Sequence, residues 1–258
     1  MKNTVTRIIK GLITILLLSA TLTSFAQQTF DYQRDFKAIL AKTSDAADSL
    51  YYNKLVRRFE SNDSALTNYE MLALLIAFTA NKEYKPYEDL STEREIYKLN
   101  AEHKYQEALE KGLSFLKTHP LSVKALFEIG YAYHKLDQND KAQLYVYKGH
   151  KIFEAMYFSG NGQTKETPTF ALGPADGQDY INKFIGADIG TMGSGKDKHG
   201  NFLDILQVKF SDSNTITMYF IIQHAADKIF SSDNANSFEQ ELKQLKELDA
   251  RKKKKAKK

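Results

Sequence analysis

The sequence predicts an α+β fold: a mainly helical N-terminal body with two repeated helix pairs, then a small antiparallel β-hairpin or sheet, then a C-terminal helix. Three observations carry that prediction. A self-similarity at thirty-four residues relates Ala108 to Ala142 and Pro86 to Pro120, a period at which helix pairs stack. After Tyr157 the composition turns to Gly and Pro, through Ser159-Gly160-Asn161-Gly162, Pro168, Gly173, Pro174 and Gly177. Further on, Thr215 to Gln223 is rich in β-branched and aromatic residues and follows the turn-forming Ser211-Asp212-Ser213-Asn214, the pattern of a hairpin. The expected organisation is a leader over residues 1–26, the helical body over 27–158, a β-containing segment over 159–230, and a helix with a basic tail over 231–258.

Lys2, Arg7 and Lys10 precede an apolar run from Leu12 to Leu18, which continues weakly to Leu22 and ends at Ser24-Phe25-Ala26. Those are the three parts of a secretory signal, and the run is shorter than the about 20 apolar residues that a spanning helix needs. Cleavage after Ala26 is expected, giving an exported, periplasmic or secreted product without a transmembrane segment. The chain has no Cys, so neither a lipidated cysteine nor a disulfide is available and the core must hold by burial alone. The leader holds three of the 36 Lys and Arg residues and none of the 32 acids, and residues 251–258 hold seven more bases. The formal charge of +4 therefore belongs to the two ends, and residues 27–250 are mildly acidic. That balance argues against a broad nucleic-acid-binding surface. The basic tail is expected to be a solvated end, with anionic envelope polymers as the partner its charge would attract.

Phe36, Ile39 and Leu40, within Phe30 to Lys42, and then Leu50, Leu55, Val56 and Phe59 have the spacing of two amphipathic helices. Thr67 followed by Glu70 forms a capping box ahead of Met71 to Phe78, a run apolar nearly all round that predicts a central helix. Tyr84-Lys85-Pro86-Tyr87 breaks it, and the two helix pairs run from Glu93 to Met156. The second pair carries Leu126, Gly130 and Tyr133 ahead of Ala142, and so resembles a tetratricopeptide repeat at its large, small and aromatic positions. Gly130 and Ala142 have almost no side chain, so two antiparallel helices can close along that line. Pro120 ends the preceding helix because it has no amide to donate. The first pair keeps Ala108 but has Ile96 at the small position, and little but Pro86 remains of a copy before it, so a long array is excluded. In the last third, Pro168 to Leu172 reads as a short strand, Tyr180 to Ile185 as a short helix, and Asp204 to Phe210 with Thr215 to Gln223 as the hairpin. A lone hairpin needs a third strand or a helix over its face. Phe238, Leu242, Leu245 and Leu248 form a helical stripe that runs into the lysines.

Taken in order, Leu50-Tyr51-Tyr52 with Leu55 and Arg58, Asp63, Leu66-Thr67 and Glu70, Tyr84 with Pro86-Tyr87, and Ser159-Gly160-Asn161-Gly162 resemble the exported bacterial family DUF4919, a domain of unknown function. The resemblance runs through most of the chain beyond the leader and ends near Ile229. It implies export in Bacteroidetes-like bacteria and carries no activity, cofactor or site residue with it.

Chemical motifs are few. Gly190-Thr191-Met192-Gly193-Ser194-Gly195-Lys196 has the spacing of a phosphate-binding loop, but Asp197 stands where the Mg²⁺-holding Ser or Thr belongs, and a loop rather than a helix is expected to follow. The stretch reads as a Gly-rich surface loop. His103, His119, His134, His150, His199 and His224 never fall at metal-ligand spacing, so no metal or other cofactor is expected and each reads as a surface or packing residue. No Ser stands in G-x-S-x-G, so no catalytic residue is assigned. Tyr131, Tyr133, Tyr145 and Tyr147 lie at helical spacing and read as hairpin core, with a fraction left to line a groove. The expected function is a non-catalytic module that binds another envelope protein or a peptide on the helix pairs, with Tyr97, Lys104 and Tyr105 as candidate lining. The alternative is an envelope hydrolase whose site lies between the helical body and the β segment.

Overall fold

The computed structural model describes residues 30–231; the leader, the stripe from Phe238 and the basic tail lie outside them. The fold is α+β. Helices α1 (Tyr32–Ser44), α2 (Tyr52–Glu60) and α3 (Asn68–Phe78) come first. The side chain of Asp31 caps α1 by accepting from Arg34 N at 2.8 Å. The box at α3 forms in both directions: Glu70 N donates to Thr67 Oγ1 at 3.2 Å, and Thr67 N donates to Glu70 Oε2 at 2.9 Å. Arg58 pairs with Asp63 at 2.6 Å and also with Glu70, tying α2 to the start of α3. Every residue from Met71 to Phe78 is buried, so α3 is the central helix that its all-round apolar sequence requires.

Helices α4 (Asp89–Ala101) and α5 (Tyr105–Leu116) form the first pair, and α6 (Val123–Lys135) and α7 (Asn139–Ser159) the second. The helices begin at Asp89 and Val123, and at Tyr105 and Asn139, each thirty-four residues apart as the sequence repeat dictates. The close approach falls where Gly130 allows it. A Cβ there would lie 2.9 Å from Val146 Cγ2 and 3.2 Å from Ala142 O. In the first pair the small residue that matters is Gly112 on α5, where a Cβ would lie 2.7 Å from Ile129 of α6. Of the four clustered tyrosines, Tyr133 is in the core and stacks at 5.5 Å on half-buried Tyr145, whereas Tyr131 and Tyr147 are exposed.

The remaining segment holds β1 (Thr169–Phe170), α8 (Asp176–Asp179) running directly into a π-helical turn over Tyr180–Ile185, then β2 (Asp188–Lys196), β3 (Phe202–Lys209), β4 (Thr215–Ile221) and α9 (Gln223–Ser231). The strand order is β1-β4-β3-β2. The hairpin β3–β4 is antiparallel as expected, but β1 joins β4 in parallel, so the sheet is mixed rather than antiparallel throughout. The Gly-rich stretch Gly190 to Lys196, expected as a loop, is instead most of β2, the edge strand. Pairing needs only its backbone groups, so the weak strand propensity of its glycines did not announce it. A bulge between Ile189 and Met192 is covered by Gln207, whose Oε1 accepts from Thr191 N at 3.3 Å. The segment is anchored on the helices through aromatic packing: Phe220 of β4 meets Tyr180 at 5.9 Å, and Tyr180 meets Phe153 of α7 at 5.6 Å. His224, buried, stacks on Phe170 at 4.5 Å and donates through Nε2 to Ala171 O at 2.9 Å. No helix among the described residues is long and apolar enough to cross a membrane.

Candidate functional site

Two recesses on the helix pairs carry polar groups. The larger is a groove of about 860 Å³ over α6, walled by α4 and α7 and reached at one side by the π-helical turn. Phe127, Gly130, Ala142 and Val146 give it an apolar floor, because the close helix crossing at Gly130 leaves no side chain to fill it. Tyr97, 55% exposed, and Tyr131, 43% exposed, stand at its lip with Lys124 and Lys135 over their rings at 5.1 and 5.3 Å. A polar cluster crosses the floor. Asn100 donates through Nδ2 to the backbone oxygen and to Oε2 of Glu128, both at 2.9 Å. Two acceptors on that side fix the orientation of the carboxamide and leave Asn100 Oδ1 without a partner. Lys183, from the π-helical turn, lies 4.9 Å over the Phe127 ring with its ammonium 2.9 Å from Asp179 and 3.8 Å from Glu128, an ion pair lacking hydrogen-bond alignment.

Of the residues singled out in the sequence, Tyr97 lines this groove. Tyr105 sits beside it, edge-on to Tyr131 at 6.2 Å, with its hydroxyl 2.6 Å from His103 Nδ1. Lys104 pairs with Glu102 at 2.8 Å. Phe127, Asn100, Glu128 and Lys183 complete the lining without a sequence motif of their own. The first three share helical spacing with core residues and carry no separate signal, and Lys183 comes from a segment more than forty residues away in sequence.

The second recess is a cleft of about 40 Å³ at the seam between the helix pairs and the turn ahead of α8, lined by Tyr84, Asp89, Glu93, His119, Ser122 and Asp176 among others. Glu93 accepts from Ser122 Oγ at 2.6 Å, and Ser122 in turn caps α6. Asp176 accepts from Gly173 N at 2.8 Å within its own turn, and Tyr84 donates to Leu172 O at 2.5 Å. Desolvation in the cleft pushes the Glu93 carboxyl up to about 7 and the Asp176 carboxyl well above the usual carboxylate range. His119 stacks on Phe115 at 4.2 Å and lies 3.2 Å from Asp89. Enclosure opposes its charge, yet the Asp89 carboxylate holds the imidazole above its ordinary value. Spacing could not reveal this group, because its members come from four separate stretches. Among the described residues no set of three or more His, Asp or Glu side chains is placed to hold a metal ion.

No curated protein and no solved structure matches the chain. A family model does, over residues 37–231, and that span covers the central helix, both helix pairs, the two recesses and the whole sheet. The protein therefore belongs to the DUF4919 family, a domain of unknown function.

Proposed function

We propose that this protein is an exported, non-catalytic interaction module that holds a peptide segment of another envelope protein in the groove over α6. The observation that carries this reading is the groove itself, a recess of about 860 Å³ with an apolar floor and two exposed tyrosines at its lip. Its volume is within the range of ligand pockets, and tyrosine at a rim offers contact area at little cost in side-chain freedom. The carboxamides of Asn100, Asn139 and Gln143 break the apolar lining at intervals. A peptide fits such a surface, because its main chain brings donors and acceptors at regular spacing while its side chains fill the apolar floor. The test is selection of binders from a random dodecapeptide display library on the purified protein. Tyr131→Asp should abolish binding of the selected peptides, and Tyr147→Asp, exposed but outside the groove, should leave it intact. Failure to recover any peptide that Tyr131→Asp releases would overturn the proposal.

The seam cleft favours a second reading, the hydrolase, since carboxyls with raised pKa values in a recess are candidates for proton transfer. It ranks below the first because about 40 Å³ is room for a water and not for a substrate. Turnover of an envelope polymer that Glu93→Gln abolishes without unfolding would reverse that order.

A further inference from the structure

Both recesses are lined in part by α4, the cleft by Asp89 and Glu93 and the groove by Tyr97 and Asn100. Glu93 of α4 and Asp176 of α8 line the same water-sized cleft, and among the described residues neither has a cation within salt-bridge distance. The nearby positive groups are already engaged: His119 with Asp89 at 3.2 Å, and Lys124 with Asp179 at 3.3 Å. Around Glu93 stand Asp89 from its own helix, Ser122 and Lys124 from α6, His119 from the turn before α6, Tyr84 from the loop after α3, and Asp176 and Asp179 from α8. Negative groups therefore outnumber positive ones at the seam. Ionising both Glu93 and Asp176 would set two uncompensated carboxylates about one small, poorly solvated space.

We propose that protons held by the Glu93–Asp176 pair latch residues 172–185 onto the helix pairs, and that losing them loosens this segment and with it the side of the groove. The segment is a lever between the recesses. Asp176 opens α8 at the cleft, Asp179 at its other end pairs with Lys124 and Lys183, and Lys183 of the following turn lines the groove against Glu128 and Phe127. At the cleft end the turn is also held by the Tyr84 hydroxyl on Leu172 O and the Asp176 carboxyl on Gly173 N, whereas its far end is anchored by buried Tyr180 and Ile181 and by the Asp179 ion pairs. The π-helical turn that follows is a form often found at functional sites within helices. The consequence for binding rests on the groove being the binding site, whereas the latch itself does not.

Hydrogen exchange measured by mass spectrometry on the full chain separates the two. With intrinsic rates corrected, residues 172–185 should lose about tenfold or more of their protection between about pH 5.5 and about pH 8.5, while α3 keeps its own. Glu93→Gln retains an acceptor for Ser122 and cannot ionise, so it should remove that pH dependence; Asp176→Asn should do the same and serves if the first variant does not fold. Equal protection of 172–185 at both pH values, or a dependence that persists in the variants, would overturn the latch. If the latch is seen but no selected dodecapeptide binds at either pH, the groove reading fails and the link to binding fails with it. Peptide affinity that follows the exchange profile supports the proposal in full, and affinity unchanged across the same range overturns the link.

Discussion

At the scale of single residues, two positions concentrate the physics. Gly130 is small because the α6–α7 crossing leaves 2.9 Å between a would-be Cβ and Val146 Cγ2. Gly130→Leu should destabilise the protein by about 1–3 kcal/mol through overpacking, read as a lower denaturant midpoint. An unchanged midpoint would show that the crossing yields. Glu93 is the second. Its carboxyl is raised to about 7 in the fold, so its contribution is fully present below the unfolded value of about 4.5 and is lost as pH rises through about 7. Glu93→Gln should remove that loss and be more stable than wild type at about pH 8, by on the order of 2–3 kcal/mol. Equal stability of the two proteins at that pH would place the proton elsewhere.

Elements are held by local devices of modest strength. Thr67 and Glu70 satisfy each other's amides at the head of α3, and Glu70 also receives Arg58. Thr67→Ala should therefore cost about 1 kcal/mol or more, since it removes a cap and loosens a shared carboxylate. The edge strand β2 behaves differently. Lys196, the last residue of the phosphate-loop-like spacing, lies 5.0 Å over the Phe202 ring across the ladder. Lys196→Ala should lower stability by no more than about 1 kcal/mol, and Mg-nucleotide should bind neither protein. Saturable nucleotide binding that the substitution abolishes would contradict the assignment of this stretch as a plain strand.

For the molecule as a whole, the critical joint is where the two ends of the described chain meet. His224 of α9 stacks on Phe36 of α1 at 5.7 Å and Phe170 of β1 at 4.5 Å, so one imidazole ties its own helix to two elements far from it in sequence. Burial pulls its pKa down to about 4, and Nδ1 has no partner. Its contribution to stability is present above the unfolded value of about 6.5 and is lost as pH falls through about 4. Acid should thus act first at this joint. The fall in denaturation midpoint between about pH 6.5 and about pH 4 should be shallower in His224→Phe than in wild type. Equal slopes would assign the acid sensitivity to other groups.

The sequence by itself determined what is periodic or local. The thirty-four-residue repeat placed both helix pairs, Thr67 and Glu70 placed the start of α3, the all-round apolar run made α3 central, and the Ser211 to Asn214 turn placed the β3–β4 hairpin. Those signals are legible because hydrophobic period and capping chemistry act over a few residues. Tertiary structure alone decided that β1 runs parallel to β4, that a Gly-rich stretch pairs as an edge strand, and that Tyr133 is core while Tyr131 stands at a lip. It alone brought Lys183 to Asn100 and Glu128, and Glu93 to Asp176. Such meetings depend on how the last third of the chain folds back over the first two. Desolvation then changes the chemistry of a carboxyl that, in the sequence, is one acid among 32.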